Sequence, residues 1–303
     1  MTARPFLSLA LGLVAWAIAG SMAADDSPVI AAGASLEKLA GEYQFTEGPT
    51  ADANGNVYFT DQPNDRIVRW LASDGSVEDW LKPVGRANGL FLTADGNLLA
   101  AADEQNQLWS IGPDKSITVL VSHYDGKLLN GPNDIWVNSR GDVYFTDPLY
   151  ARDYWVRDPT MQQSGQHVYL LPAGADEARP ILTDLQQPNG IIGSLDGKTL
   201  YVSDIGAGRT YAYDMGDDGL PFNRRLFCEL GSDGMTADNE GNVYLTGRGV
   251  TVFDKHGRQV EHIEVPQDWT ANVTFGGANG DLLFITASKA IYGLKMRVRG
   301  TLE

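Results

Sequence analysis

The chain has 303 residues, a formal net charge of −16 and one cysteine. Such acidity disfavours nucleic acid and anionic membranes as partners and favours cations in any cleft. The lone Cys228 excludes an intramolecular disulfide and any multi-cysteine metal site, and within Leu226-Phe227-Cys228 it reads as a buried strand residue.

In chain order, residues 1–23 read as a secretory signal. Arg4 supplies the positive start, Phe6 to Ile18 is apolar or small throughout, and the small residues Ser21 and Ala23 stand at the −3 and −1 positions of a cleavage after Ala23. The apolar run falls short of the roughly 20 residues of a membrane span. The expectation is therefore export to the periplasm or beyond. The mature chain, residues 24–303, is read as one domain, monomeric and free of the membrane.

From there on, short apolar or alternating runs separated by Gly, Asn and Asp predict many strands and almost no helix. A hairpin of the form strand, D/N-x-x-G turn, strand recurs six times, with turn glycines Gly55, Gly96, Gly141, Gly197, Gly241 and Gly280. Their intervals are 41, 45, 56, 44 and 39 residues. A period of about 40–50 residues with about four strands predicts an all-β, six-bladed β-propeller with four-stranded blades. Pairing between the terminal strands, from Leu36 to Phe45 and from Ala290 to Val298, would close the ring and remove its open edges.

A propeller places the first strand of each blade on the axis, so equivalent positions form a ring. Eight residues before each turn glycine stand Glu47, Asn88, Asn133, Asn189, Asp233 and Asn272, all carboxylates or carboxamides. Six such groups in core-like strands are costly to bury without partners. A hard cation on the axis would satisfy them together, since Ca²⁺ takes six to eight oxygen ligands. The ring has no His or Cys, which argues against zinc or copper. Asn-Gly and Asp-Gly pairs are also common turn formers, and that reading stands beside the first.

Three further features complete the reading. Asp61, Asp103, Asp147 and Asp204 end the second strands and read as local turn formers. The longest interval carries an insertion, Leu149 to Gln166, rich in Tyr, Trp and Arg, which is either a lid over the site or a decorated connection. None of His123, His167, His256 or His262 lies at the ring register, so a serine-hydrolase triad is not expected.

With these residues in hand, the sequence resembles the gluconolactonase family, which includes senescence marker protein (regucalcin) and, more distantly, diisopropyl fluorophosphatase. The resemblance spans about residues 43–297. It is carried by Glu47-Gly48-Pro49, Asn130-Gly131-Pro132-Asn133-Asp134, Tyr144-Phe145-Thr146-Asp147-Pro148, Gln187-Pro188-Asn189-Gly190-Ile191, Asp233-Gly234-Met235 and Asn272-Val273-Thr274-Phe275-Gly276-Gly277. It implies one divalent metal, calcium before Mg²⁺, Mn²⁺ or Zn²⁺, held by Glu47, Asn133, Asn189 and Asp233, with Asp233 as catalytic base or nucleophile. Asn88 and Asn272 are expected to contact substrate, and Arg86 and Asp134 to bond sugar hydroxyls. The chain departs from the pattern at Tyr150-Ala151-Arg152 and at Ser232 before Asp233. The expected activity is hydrolysis of a small sugar lactone. A phosphotriesterase of the same fold and a non-catalytic propeller stapled by its metal are the alternatives.

Overall fold

The computed structural model describes residues 27–300, so the signal segment lies outside the described residues. Within them there is no α-helix. Six four-stranded antiparallel sheets form the fold, with one two-stranded hairpin, His123–Tyr124 against Lys127–Leu128, and three single-turn 3-10 segments.

The predicted hairpins are the two inner strands of each blade. In blade 1, Thr46–Ala51 pairs with Val57–Asp61, which pairs with Arg66–Trp70 and then Val77–Leu81. Blades 2 to 5 repeat this order from inner strands Leu90–Leu92, Ile135–Val137, Pro188–Gly193 and Met235–Ala237. Blade 6 begins with Asn272–Gly276 and takes its outermost strand, Glu37–Gly41, from the other end of the chain. There Glu37 stands opposite Gly293 and Gly41 opposite Ala290. The predicted ring closure is thus a backbone ladder. All six turn glycines have positive φ, between 66° and 85°, which a side chain would resist.

Burial follows distance from the axis. The second strands, such as Val57–Asp61 and Val143–Asp147, are buried throughout or at all but their first residue, because both faces meet a neighbouring blade. Outer strands such as Val77–Leu81 and Ile117–Val121 are mostly exposed or half-buried. The core is accordingly divided into six clusters, one at each blade-to-blade contact. Cys228 is buried, as its sequence context predicts.

The cluster that seals the ring joins Phe59 and Trp70 of blade 1 to Phe284 and Ile291 of blade 6. The Phe284 ring centroid lies 5.7 Å from those of both Phe59 and Trp70. Phe284→Ala removes that contact from a fully buried site and should cost about 3–5 kcal/mol. A urea titration checks it; a loss below about 1 kcal/mol would show that this junction does not hold the ring.

Candidate active site

Each ring position lies at or just before the start of an inner strand. Glu47 and Asn189 fall within Thr46–Ala51 and Pro188–Gly193, Asn272 opens its strand, and Asn88, Asn133 and Asp233 each precede theirs by two residues. Asp233 keeps some exposure and the other five are buried. Glycine explains how they meet. A Cβ on Gly48 would strike the Asn88 carbonyl, one on Gly89 the Asn133 carbonyl, one on Gly190 the Asp233 carbonyl, and one on Gly234 the Asn272 side chain. At these four junctions the missing side chains let adjacent blades press together, each glycine against the ring residue of the next blade. These X-Gly pairs are packing contacts between blades, which corrects their reading as turns. Where Asn133 is followed by Asp134 instead, the aspartate joins blades 3 and 4 by accepting from Ile135 N (3.0 Å) and Ile191 N (3.3 Å).

The charges at the centre are unbalanced. Asp233 is gripped at both oxygens: Asn189 Nδ2 donates to Oδ1 at 2.7 Å and Trp269 Nε1 to Oδ2 at 2.6 Å. Asn189 Nδ2 also donates to the Tyr150 hydroxyl at 2.9 Å. Burial, and then the charge of Asp233, raise the Glu47 carboxyl well above its ordinary pKa. Burial raises Asp233 as well, against the opposing bonds from Trp269 and Asn189. The same desolvation pushes Asp134 up to about 7. Asn189 Oδ1 is buried with no hydrogen-bond partner.

A buried amide oxygen without a donor, beside two carboxyls that resist ionisation, is a donor set with no cation of its own. The residues fit a hard divalent ion bound by oxygen, and Glu47, Asn133, Asn189 and Asp233 are the ones that would hold it. Among the described residues no group of three or more His, Cys, Asp or Glu is arranged for a metal. A ring made mostly of carboxamides is a different kind of site.

Of the expected substrate contacts, Asp134 and Asn272 line an axial cavity of about 190 Å³ that runs on between the inner strands. Asn272 Oδ1 accepts from Val273 N at 2.8 Å. Asn88 sits in the ring with its carbonyl bonded to Thr60. Arg86 is paired with Glu104 at 3.0 Å, bonds the Pro63 carbonyl, and stacks on Tyr154 at 4.6 Å.

The strand-end aspartates do more than form turns. Asp61 accepts from Gln44 N and Phe45 N, Asp147 from Asn130 N and Gly131 N, and Asp204 from Gln186 N and Gln187 N. Each therefore fixes the segment that delivers a ring residue. Asp103 departs from this pattern, accepting from Gln62 Nε2 at 3.1 Å and facing Arg157 at 3.6 Å.

The insertion crosses the ring end of the propeller. Asn130 anchors it: its carbonyl accepts from Arg157 Nη2, and its Oδ1 accepts from Gln162 N and Gln163 N. This brings Tyr150 onto Asn189 and sets the Arg152 guanidinium 5.2 Å above the Tyr150 ring. Sequence reasoning assigned no site role to Trp269, which lies in a connector outside the repeat. Its only sequence signal is its place three residues before Asn272.

Fold and site together define a six-bladed propeller with an acid–amide centre on its axis. Residues 45–289 match the SMP-30/gluconolactonase/LRE-like region, and the chain belongs to that family. It is 29% identical over 295 residues to a gluconolactonase of Zymomonas mobilis, covering 88% of this chain and 82% of that one. A regucalcin of Xenopus laevis is 27% identical over 265 residues, covering 81% and 84% of the two chains. Among solved structures, a gluconolactonase of Xanthomonas campestris superposes with a TM-score of 0.81 at 30% identity, over 89% of this chain and 95% of that one.

Two outcomes follow for the centre. Trp269→Phe keeps the ring but removes the donor to Asp233, and should weaken metal binding or turnover by about 10- to 100-fold. Calorimetric titration with Ca²⁺ reads the first and steady-state kinetics the second; values within twofold of wild type would show that the bond is idle. The metal-free protein should also lose stability as pH rises. Asp134 keeps its proton in the folded state up to about 7, whereas an unfolded aspartate gives it up near pH 4. Stability is then complete below about pH 4 and falls as pH climbs through 7. Urea midpoints in chelator at about pH 5 and pH 8 test this, with the lower midpoint expected at the higher pH. Equal midpoints would contradict it.

Proposed function

We propose that the chain is an exported, calcium-dependent lactonase that hydrolyses a small sugar lactone. The observation that carries the proposal is the buried, unpartnered Oδ1 of Asn189, the residue whose Nδ2 grips Asp233, at a centre where the charge of Asp233 raises the Glu47 carboxyl. The named relatives support the class of reaction.

A divalent cation at Glu47, Asn133, Asn189 and Asp233 would supply electrophilic polarisation of the lactone carbonyl. The chain's own residues do the rest. Asp233, fixed at one oxygen by Trp269 and at the other by Asn189, takes the proton of the attacking water and returns it to the departing ring oxygen. The rigid grip limits the carboxylate to one orientation, so little reorganisation is needed when the proton moves. Asn88 and Asn272, on the two blades that flank the blade of Glu47, offer amide groups to the lactone hydroxyls. Asp134 lies deeper and holds the strands of blades 3 and 4 in register. For Arg86 to bond a hydroxyl it must exchange its Glu104 partner.

Glucono-lactone hydrolysis, followed after exhaustive chelation and then with Ca²⁺, Mg²⁺, Mn²⁺ or Zn²⁺ restored, tests the proposal. Activity should vanish and return best with Ca²⁺. Asp233→Asn should lower kcat by about 10²- to 10⁴-fold. Full activity in the metal-free protein, or in Asp233→Asn, would refute the assignment.

A further inference from the structure

Arg152 stands apart from the other partly buried arginines among the described residues. Five arginines of the described chain are not solvent-exposed: Arg66, Arg69, Arg86, Arg152 and Arg157. Four of them are ion-paired, with Asp61, Glu78, Glu104 and Asp103 respectively. Arg152 has no carboxylate within 4.0 Å among the described residues, and its Nε is buried without a hydrogen-bond partner. The guanidinium lies over Tyr150, whose hydroxyl meets Asn189, and its field reaches Glu47 and Asp233. It therefore faces the centre from the insertion.

The two ring carboxylates do not serve as its counter-ions once a divalent cation offsets them. Asp103, which also feels its charge, is already committed to Gln62 and Arg157. A partly buried guanidinium left with free donors is unfavourable unless an anion arrives to take them. The planar fork matches a carboxylate at two points.

We propose that Arg152 is a specificity-determining residue that selects lactones bearing a second acidic group, a carboxylate at the end of the sugar remote from the reacting carbonyl. This rests on the lactonase reading of the same centre and adds the class of substrate to it. Tyr150 positions the guanidinium by stacking, and the anchors on Asn130 hold the insertion so that the charge stays over the ring. Neutral sugar lactones leave the guanidinium unpaired and are the poorer substrates.

The test compares kcat/KM for a glucaro-lactone, which carries the extra carboxylate, with that for neutral glucono-lactone. Wild type should favour the former by at least about 10-fold, and R152Q should cut the ratio by about 10- to 100-fold, as expected for one charge-assisted pair. R152K, which keeps the charge without the fork, should fall between. In parallel, calorimetry on the Ca²⁺-loaded protein measures binding of the open-chain diacid against the monoacid, a preference that R152Q should abolish. A wild-type ratio near or below one, or a ratio unchanged in R152Q, overturns the proposal. If wild type hydrolyses neither lactone, the lactonase reading fails, while the diacid-against-monoacid binding ratio still decides the role of Arg152.

Discussion

Ring closure forces polar groups together that would not otherwise share a site. Each inner strand is fixed by its own blade, so the side chain at its axial end has nowhere to go except toward five others. With Glu47 beside Asp233, each charge raises the cost of the other, and burial raises the cost of both. The fold can hold this arrangement because it is closed elsewhere, by six apolar clusters and by the ladder of Glu37–Gly41 on the last blade. Stability at the periphery holds an unfavourable centre in place, and a cation there would relieve it.

The supports around the centre share one logic. Asp61, Asp147 and Asp204 spend their carboxylates on backbone N–H groups in the segments leading to Glu47, Asn133 and Asn189. The glycines after four ring residues remove bulk where adjacent blades must meet. Trp269 and Asn189 then fix Asp233 at both oxygens. The result is a set of oxygen donors built from strand ends, beneath one long loop. The proposed chemistry and the proposed selectivity thus sit on separate parts of the fold, the first on the ring and the second on the insertion.

The ring was legible in the amino-acid sequence because register in a repeat is set by a feature that sequence displays, the positive-φ glycine of each hairpin. Counting from it locates Glu47, Asn88, Asn133, Asn189, Asp233 and Asn272 without knowledge of any contact. The role of Trp269 was not legible, since it depends on how a connector outside the repeat folds back over blade 5. The same holds for Tyr150 and Arg152, whose positions are decided by Asn130 accepting from a loop more than twenty residues away. Asp61 and its equivalents were visible as a series, but their partners lie in preceding segments, where sequence spacing gives no hint of direction. Arg86 shows the reverse case, a residue in a suggestive place whose guanidinium is taken by Glu104.

The account depends on one ion on the axis. Diffraction from crystals grown with Ca²⁺, with anomalous scattering recorded to identify the metal, examines this directly. A single strong peak should appear between Glu47, Asn133, Asn189 and Asp233, with Asn189 Oδ1 among its ligands at about 2.3–2.6 Å. A ring with water alone at its centre, or an ion bound elsewhere while Asn189 Oδ1 finds a protein donor, would contradict it.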